Sequence, residues 1–304
     1  MTTARPLPLK FQVGARTLFR VQRTLQRVPL SLDDVLGGQL PALPPLDPAA
    51  HGYSVTSLPA VLEGAVTRAA GGMLPFVRQR YARYHADLSI GFDAWWGQLS
   101  ANSRSGLKRK ARRVAGAGGA VDVRAFHAPH EIETFHAIAR AIAATTYQER
   151  LMGAGLPADA DFVSRMVAGA AAGEVRAWLL HVGGEPAAYL YCPIRSGTVI
   201  YEYVGHDPAF SDLSPGAVLQ VEAMRDLYAE GRFRQFDFTE GEGQHKRAMA
   251  TGGVPCIDLL LLRPTLANRA TMAALGGFDR GVAVVKAMVA RAGLHAVGKK
   301  LRRG

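Results

Sequence analysis

The stretch VRAWLLHVGGEPAAYLYCPIRSGTVIYEYVGHD (Val175–Asp207) constrains the fold more than any other part of the chain. Its runs are rich in aromatic and branched residues, which suit a half-buried pleated surface. They break at Gly183-Gly184 and Ser196-Gly197, pairs that supply tight turns, so three successive strands are expected. SPGAVLQVEAMRDLYAEG follows as a helix, with Ser214 placed to cap it, Pro215 at its first position and Gly231 to stop it. FRQFDFTE and PCIDLLLLRP then read as further strands. A meander, a helix and another strand predict an α+β (α/β layered) fold, with a mixed central sheet flanked by helices.

The remaining segments extend this pattern. AVDVRAFH reads as a strand, PHEIETFHAIARAIAATTYQERL as a helix opened by Pro129, and ADADFVSRMVAGAAAG as another helix. Upstream, PAVLEGAVTRAAG and FDAWWGQLS are helical by composition, and FVRQRYARYHADLS alternates as a strand does. The proline-rich LPALPPLDP removes backbone donors and excludes a helix, so residues 1–50 are expected to lie extended over the first lobe. In SRSGLKRKARRVAGAGG, Arg104, Lys108 and Arg112 share one helix face and Arg109 and Arg113 a second row. Glycines 116, 118 and 119 should end that helix at a lobe boundary. Three regions are therefore expected: an N-terminal lobe (1–115), a core lobe (116–265) and a basic amphipathic tail (266–304).

With 304 residues and a net charge of +11, the chain can bury a core while seeking something acidic: nucleic acid, an anionic membrane or a phosphorylated ligand. Cys192 and Cys256 each sit in an apolar run, which suggests inert buried thiols in a reducing compartment, and no metal-ligand spacing is present. The N-terminus has no signal-peptide pattern and no run approaches the length of a spanning helix, so a cytoplasmic or membrane-peripheral protein is expected.

Chemistry concentrates in YEYVGHD, LSPGAVLQ and FDFTEGEGQHK. Free amides and the dipole at the start of the Pro215 helix favour an anion, and Gly216 lets a ligand approach. The order of these elements resembles the GCN5-related N-acyltransferase superfamily. LSPG followed about twenty residues later by DF, GE and HK is similar to the cellulose-biosynthesis-associated acyltransferase-like family, a relative of the Fem-type aminoacyl transferases. LSANSRSGLKRKARRV resembles the same family's inter-lobe segment. Where that family carries Tyr-Lys, this chain has His245-Lys246, and LSPGAV replaces the usual superfamily phosphate loop.

The resemblance implies an acyl-CoA co-substrate, no metal, and an amine acceptor. Attack on a thioester needs a neutral amine, a stabilised oxyanion and a proton for the leaving thiolate. His245, with an ordinary pKa near neutrality, is the first candidate for moving that proton, with Asp237, Glu240 and Glu202 as catalytic carboxylates. Ser214, Pro215, Gly216, Ala217 and Lys246 would hold the donor. Tyr147, Glu149, Arg150, Tyr203 and His206 would line the acceptor pocket.

The tail from 279 to 304 alternates valines with Lys286, Arg291, Lys299, Lys300, Arg302 and Arg303, as a helix lying on an anionic membrane would. This points to a lipidic acceptor: a sphingoid long-chain base, as in bacterial ceramide synthases within the same family, met on the inner membrane. Two alternatives are an aminoacyl-tRNA-dependent Fem-type transferase, with tRNA on the basic ridge, and an acetyltransferase of polysaccharide or envelope biosynthesis. A non-catalytic module that keeps only the fold is a further possibility.

Overall fold

The computed structural model describes residues 4–13, 16–146, 155–241 and 243–291. In chain order the elements are β1 (Ala4–Val13), β2 (Arg16–Pro29), α1 (Leu32–Gly37), β3 (Gly52–Pro59), α2 (Glu63–Ala69), β4 (Leu74–Asp87), α3 (Phe92–Gln98) and α4 (Ala101–Gly118). They continue with β5 (Asp122–Phe126), α5 (Pro129–Thr145), α6 (Ala160–Ala171), β6 (Val175–Val182), β7 (Glu185–Arg195), β8 (Thr198–Ile200) and β9 (Tyr203–His206). The last are α7 (Pro215–Glu230), β10 (Gln235–Asp237), α8 (Gln244–Met249), β11 (Gly252–Leu262) and α9 (Leu266–Arg291).

The chain divides into two compact units, residues 1–80 with 255–304, and residues 81–254. In the first, β1 and β2 form an antiparallel pair, β2 runs parallel to β3, and β3 pairs antiparallel with β11. Residues 4–29 are thus two strands of a sheet rather than the surface strap expected for residues 1–50. The reason is their alternation: Leu9, Phe11 and Leu25 face inward with Leu260, Leu262 and Leu275 of α9. Only the proline-rich part stays irregular, and Tyr53 donates its hydroxyl to the Pro44 carbonyl at 2.6 Å.

In the second unit β10 lies between β4, antiparallel, and β8, parallel. β8, β7, β6 and β5 continue the sheet with antiparallel pairing. Helices cover both faces, as expected. On one face Trp95, Val114, Trp178, Leu219, Leu227, Phe236 and Phe238 form a core with α3, α4 and α7. On the other, Ile132, Phe135, Phe162, Met166 and Tyr191 pack α5 and α6. Both cysteines are buried free thiols.

Three local readings need correction. The helix α4 runs through Gly116 and Gly118 and turns left-handed only at Gly119 (φ 83°). Gly118 closes the helix against the next turn: a methyl there would stand 2.7 Å from the Gly183 nitrogen, so close packing excludes a side chain. FRQFDFTE yields a strand of only three residues. Ser214 adopts a left-handed conformation (φ 56°, ψ 50°), so its hydroxyl makes no cap to α7 and its amide instead donates to the Ser211 carbonyl at 3.1 Å.

Candidate active site

The third strand of the meander is broken, and the break builds the site. Ile194 of β7 faces Val199, but Tyr191 faces Tyr203, so three steps along β7 match four along its partner. The extra residue is a bulge at Tyr201-Glu202, and it reverses which way later side chains point. Tyr201 therefore joins the α7-side core, whereas Tyr203 joins the aromatic cluster with Tyr191 and Phe162 under α5 and α6. Gly205 is required opposite Tyr189, since a methyl there would lie 2.5 Å from the ring.

Parallel pairing with β10 stops at the same point. Ile200 still faces Asp237, the Tyr201 amide donates to the Asp237 carbonyl at 2.9 Å, and beyond it β9 pairs with β7. The edge of β9 turned away from β7 is thus left without a strand partner among the described residues. Backbone N–H and C=O groups in such an opening seek a partner from a ligand or from water.

Helix α7 packs against β7 and β9. It begins after the 3-10 turn Pro208–Leu213, and Pro215 brings no N–H of its own. Ala217 donates to the Ser214 carbonyl at 3.1 Å. Nothing lies within 4 Å of where a side chain on Gly216 would begin, so a ligand can approach the backbone there. His206, at the end of β9, reaches the Ser211 hydroxyl with Nε2 at 3.2 Å.

The carboxylates differ sharply. Asp237 is 1% exposed and forms a two-point pair with buried Arg83, at 2.6 Å to Nη2 and 3.3 Å to Nε. It also accepts the Thr239 amide at 2.8 Å. Thr239 itself sits at φ 63°, a left-handed conformation unusual for a branched residue. Glu202 keeps an exposed side chain, yet desolvation against the sheet raises its pKa above the usual 4.5, with Arg195 and Arg165 pulling the other way. Glu240 is exposed, and its carbonyl accepts a hydrogen bond from the Lys246 ammonium at 2.7 Å. Loss of water lowers the Lys246 pKa, and Asp237 and Glu240 counter part of that shift.

His245 and Lys246 stand on α8, a helix of six residues. The His245 ring centroid lies 6.2 Å from that of Tyr201, whose hydroxyl is pushed to a higher pKa first by burial and then by Cys192. Partial desolvation, and after it the Lys246 charge, lower the His245 pKa below its usual 6.5. The side chain is exposed, so solvent screens the Lys246 charge in part. The neutral imidazole, the form that accepts a proton, is favoured.

The structure therefore places Asp237 at the end of β10 with Glu240, His245 and Lys246 after it, Glu202 and Tyr203 at the bulge, and Ser214, Pro215, Gly216 and Ala217 at the start of α7. Tyr147, Glu149 and Arg150 lie outside the described residues. Sequence reasoning missed Arg83, His85 and Tyr201. His85 faces Asp237 across the β4–β10 pair, its buried Nδ1 has no hydrogen-bond partner among the described residues, and its ring leaves no room for a side chain on Gly252. The alternation of Arg78, Arg80 and Arg83 in FVRQRYARYHADLS held the only hint that one arginine points inward.

Residues 101–247 match the family model described as an acetyltransferase (GNAT) domain. The match lies within the second unit and supports an acyltransferase of the superfamily expected from the sequence. No curated protein matches the chain. Among solved structures, the chain is similar to the C-terminal domain of a protein described as a lysylphosphatidylglycerol synthetase from Agrobacterium fabrum. That likeness has a TM-score of 0.52 at 11% identity and covers 74% of this chain and 72% of the other. It is also similar to FemX, with a TM-score of 0.50 at 10% identity, over 89% of this chain and 91% of the other. These two likenesses concern the fold alone.

Proposed function

We propose that this chain is an N-acyltransferase that moves an acyl group from an acyl-CoA thioester to an amine. The observation that carries the reading is the parting of β9 from β10 after Tyr201, beside the start of α7. A pantetheine arm is a chain of amides, and it can pair with the β9 backbone as a short strand would. Its diphosphate would then meet the amides and dipole of α7.

In this reading His245 takes the proton from the attacking amine, directly or through one water, while Lys246 balances negative charge developing nearby. The amine nitrogen bonds to the thioester carbon, the carbon–sulfur bond breaks, and the departing thiolate collects a proton. Glu202 and Tyr203, on the other face of the bulge, contact the acceptor. Asp237 acts by holding Arg83 and the Thr239 turn, and so positions the segment that carries His245.

The acceptor we favour is a long-chain amino alcohol of the sphingoid type, met at an anionic membrane surface. Among the described residues, α9 leaves Val284, Val285 and Met288 more than half exposed, an apolar strip suited to lipid. No helix among the described residues is long and apolar enough to cross a membrane, so any attachment through α9 would be peripheral. The basic residues 299–303 of this reading lie outside the described residues.

Mixing the purified protein with acyl-CoA and a panel of amines tests the proposal through thiol release and the mass of the amide. Release with a sphingoid base, but not with soluble short amines, is expected. No release with any amine, together with transfer from aminoacyl-tRNA, would replace it by the Fem-type alternative.

A further inference from the structure

We propose that the exposed face of α4 docks an acidic helical carrier domain, which presents the acyl group as a thioester on a flexible arm. This deepens, and rests on, the transferase reading above. The helix holds no acidic residue in its 18 positions. Leu107, Ala111 and Val114 pack into the core, and Arg104 turns back to the Gly97 and Leu99 carbonyls at 2.8 and 2.5 Å. Lys108, Arg109, Arg112 and Arg113 remain exposed, and none of them enters an ion pair among the described residues.

Like charges four apart, as in Lys108–Arg112 and Arg109–Arg113, repel and destabilise a helix. Among the described residues no carboxylate pairs with these four cations, so an external anionic surface is the natural counterpart. Its position fits a donor: α4 packs against α7 and against the turn Pro208–Leu213 that leads to the start of α7. Leu107 and Ala111 share a core with Phe210 and Leu213 of that turn. Cations spread along a helix suit a row of carboxylates on a facing helix. Residues 104–113 include no aromatic ring on which a nucleic-acid base could stack.

On docking, the amine attacks the carrier-borne thioester carbonyl and the carbon–nitrogen bond forms. The carbon–sulfur bond breaks, and the arm's sulfur leaves and takes up a proton, giving one amide and one free thiol. The test compares palmitoyl-CoA with a palmitoylated type II acyl carrier protein as donors, in the wild type and in a Lys108→Ala, Arg109→Ala, Arg112→Ala, Arg113→Ala variant. Alanine favours helix at these exposed positions, so the fold is preserved.

The KM for the carrier donor should rise about tenfold or more, with strong salt dependence, while the KM for palmitoyl-CoA holds steady. Equal losses with both donors would assign the face to the phosphates of CoA and overturn the proposal. So would an unchanged KM for the carrier, or carrier-independent binding of tRNA that the variant loses. Inertness toward every thioester would sink the transferase reading instead. Docking is then decided by titrating the carrier itself: weaker binding by the variant supports it, and no binding by the wild type overturns it.

Discussion

Asp237 and His245 come from one run of sequence and sit within ten residues of each other, yet they live under opposite conditions. Asp237 is buried with both oxygens committed to Arg83 and the Thr239 amide. His245 stands exposed on a short helix and, among the described residues, enters no ion pair, with its pKa lowered toward the neutral form. A carboxylate that is fully paired is poor at moving protons and good at holding a backbone in place. An exposed imidazole is the reverse. The strand end is the scaffold, and the short helix after it carries the chemistry.

The sharpest way to break that contrast is to remove the scaffold. Asp237→Ala removes the carboxylate that pairs with buried Arg83 and accepts the Thr239 amide, so stability should fall by about 1.5–3 kcal/mol. Denaturant unfolding would measure it, and adding Arg83→Met should restore much of the loss. Loss of activity at full stability would instead move Asp237 into the chemistry. His245→Ala should do the opposite: kcat down by about 10²-fold, in the range of a lost general base, with the unfolding midpoint unchanged.

The pH dependence sharpens the same point. His245 must be neutral to accept a proton, and its pKa lies below 6.5. Once corrected for the neutral fraction of the acceptor amine, the rate should therefore hold from neutral pH down to about pH 6.5 and fall as pH drops through that lowered value. In His245→Gln this acid limb should vanish.

His85 titrates on the scaffold side. Its folded pKa is lowered by desolvation, with Asp237 and Asp87 opposing. Its contribution to stability is whole above the unfolded value of 6.5 and is lost as pH falls through the interval below it. His85→Asn should make stability less acid-sensitive without removing the acid limb of the rate.

The smallest effect expected is at Ser214. Its hydroxyl makes no cap, so Ser214→Ala should change stability by less than the ~0.5–2 kcal/mol typical of a true cap. Ser214→Gly should be slightly stabilising, because glycine adopts φ near 56° without strain.

Much of the second unit was legible because its elements are punctuated. Gly183-Gly184 and Ser196-Gly197 mark the β6–β7 and β7–β8 turns, and Pro215 and Gly231 bracket α7. The bulge at Tyr201-Glu202 was not, because YEYVGHD keeps a plausible strand alternation whether or not a residue is inserted. Only pairing to a partner strand reveals that Tyr201 and Tyr203 face opposite ways. The Arg83–Asp237 pair joins positions 154 residues apart, and local pattern carries no signal for such a contact. In the N-terminal segment the prolines of LPALPPLDP masked the alternation that makes residues 4–29 two strands.

The central claim is that the opening between β9 and β10, beside the start of α7, receives the donor. Hydrogen exchange of backbone amides, with and without a non-hydrolysable acyl-CoA analogue, tests it most directly. Slowed exchange at Tyr203–Gly205 and at Gly216–Ala217, with β1–β3 unaffected, is the predicted result. Protection confined to other segments, or none at saturating analogue, would contradict the account.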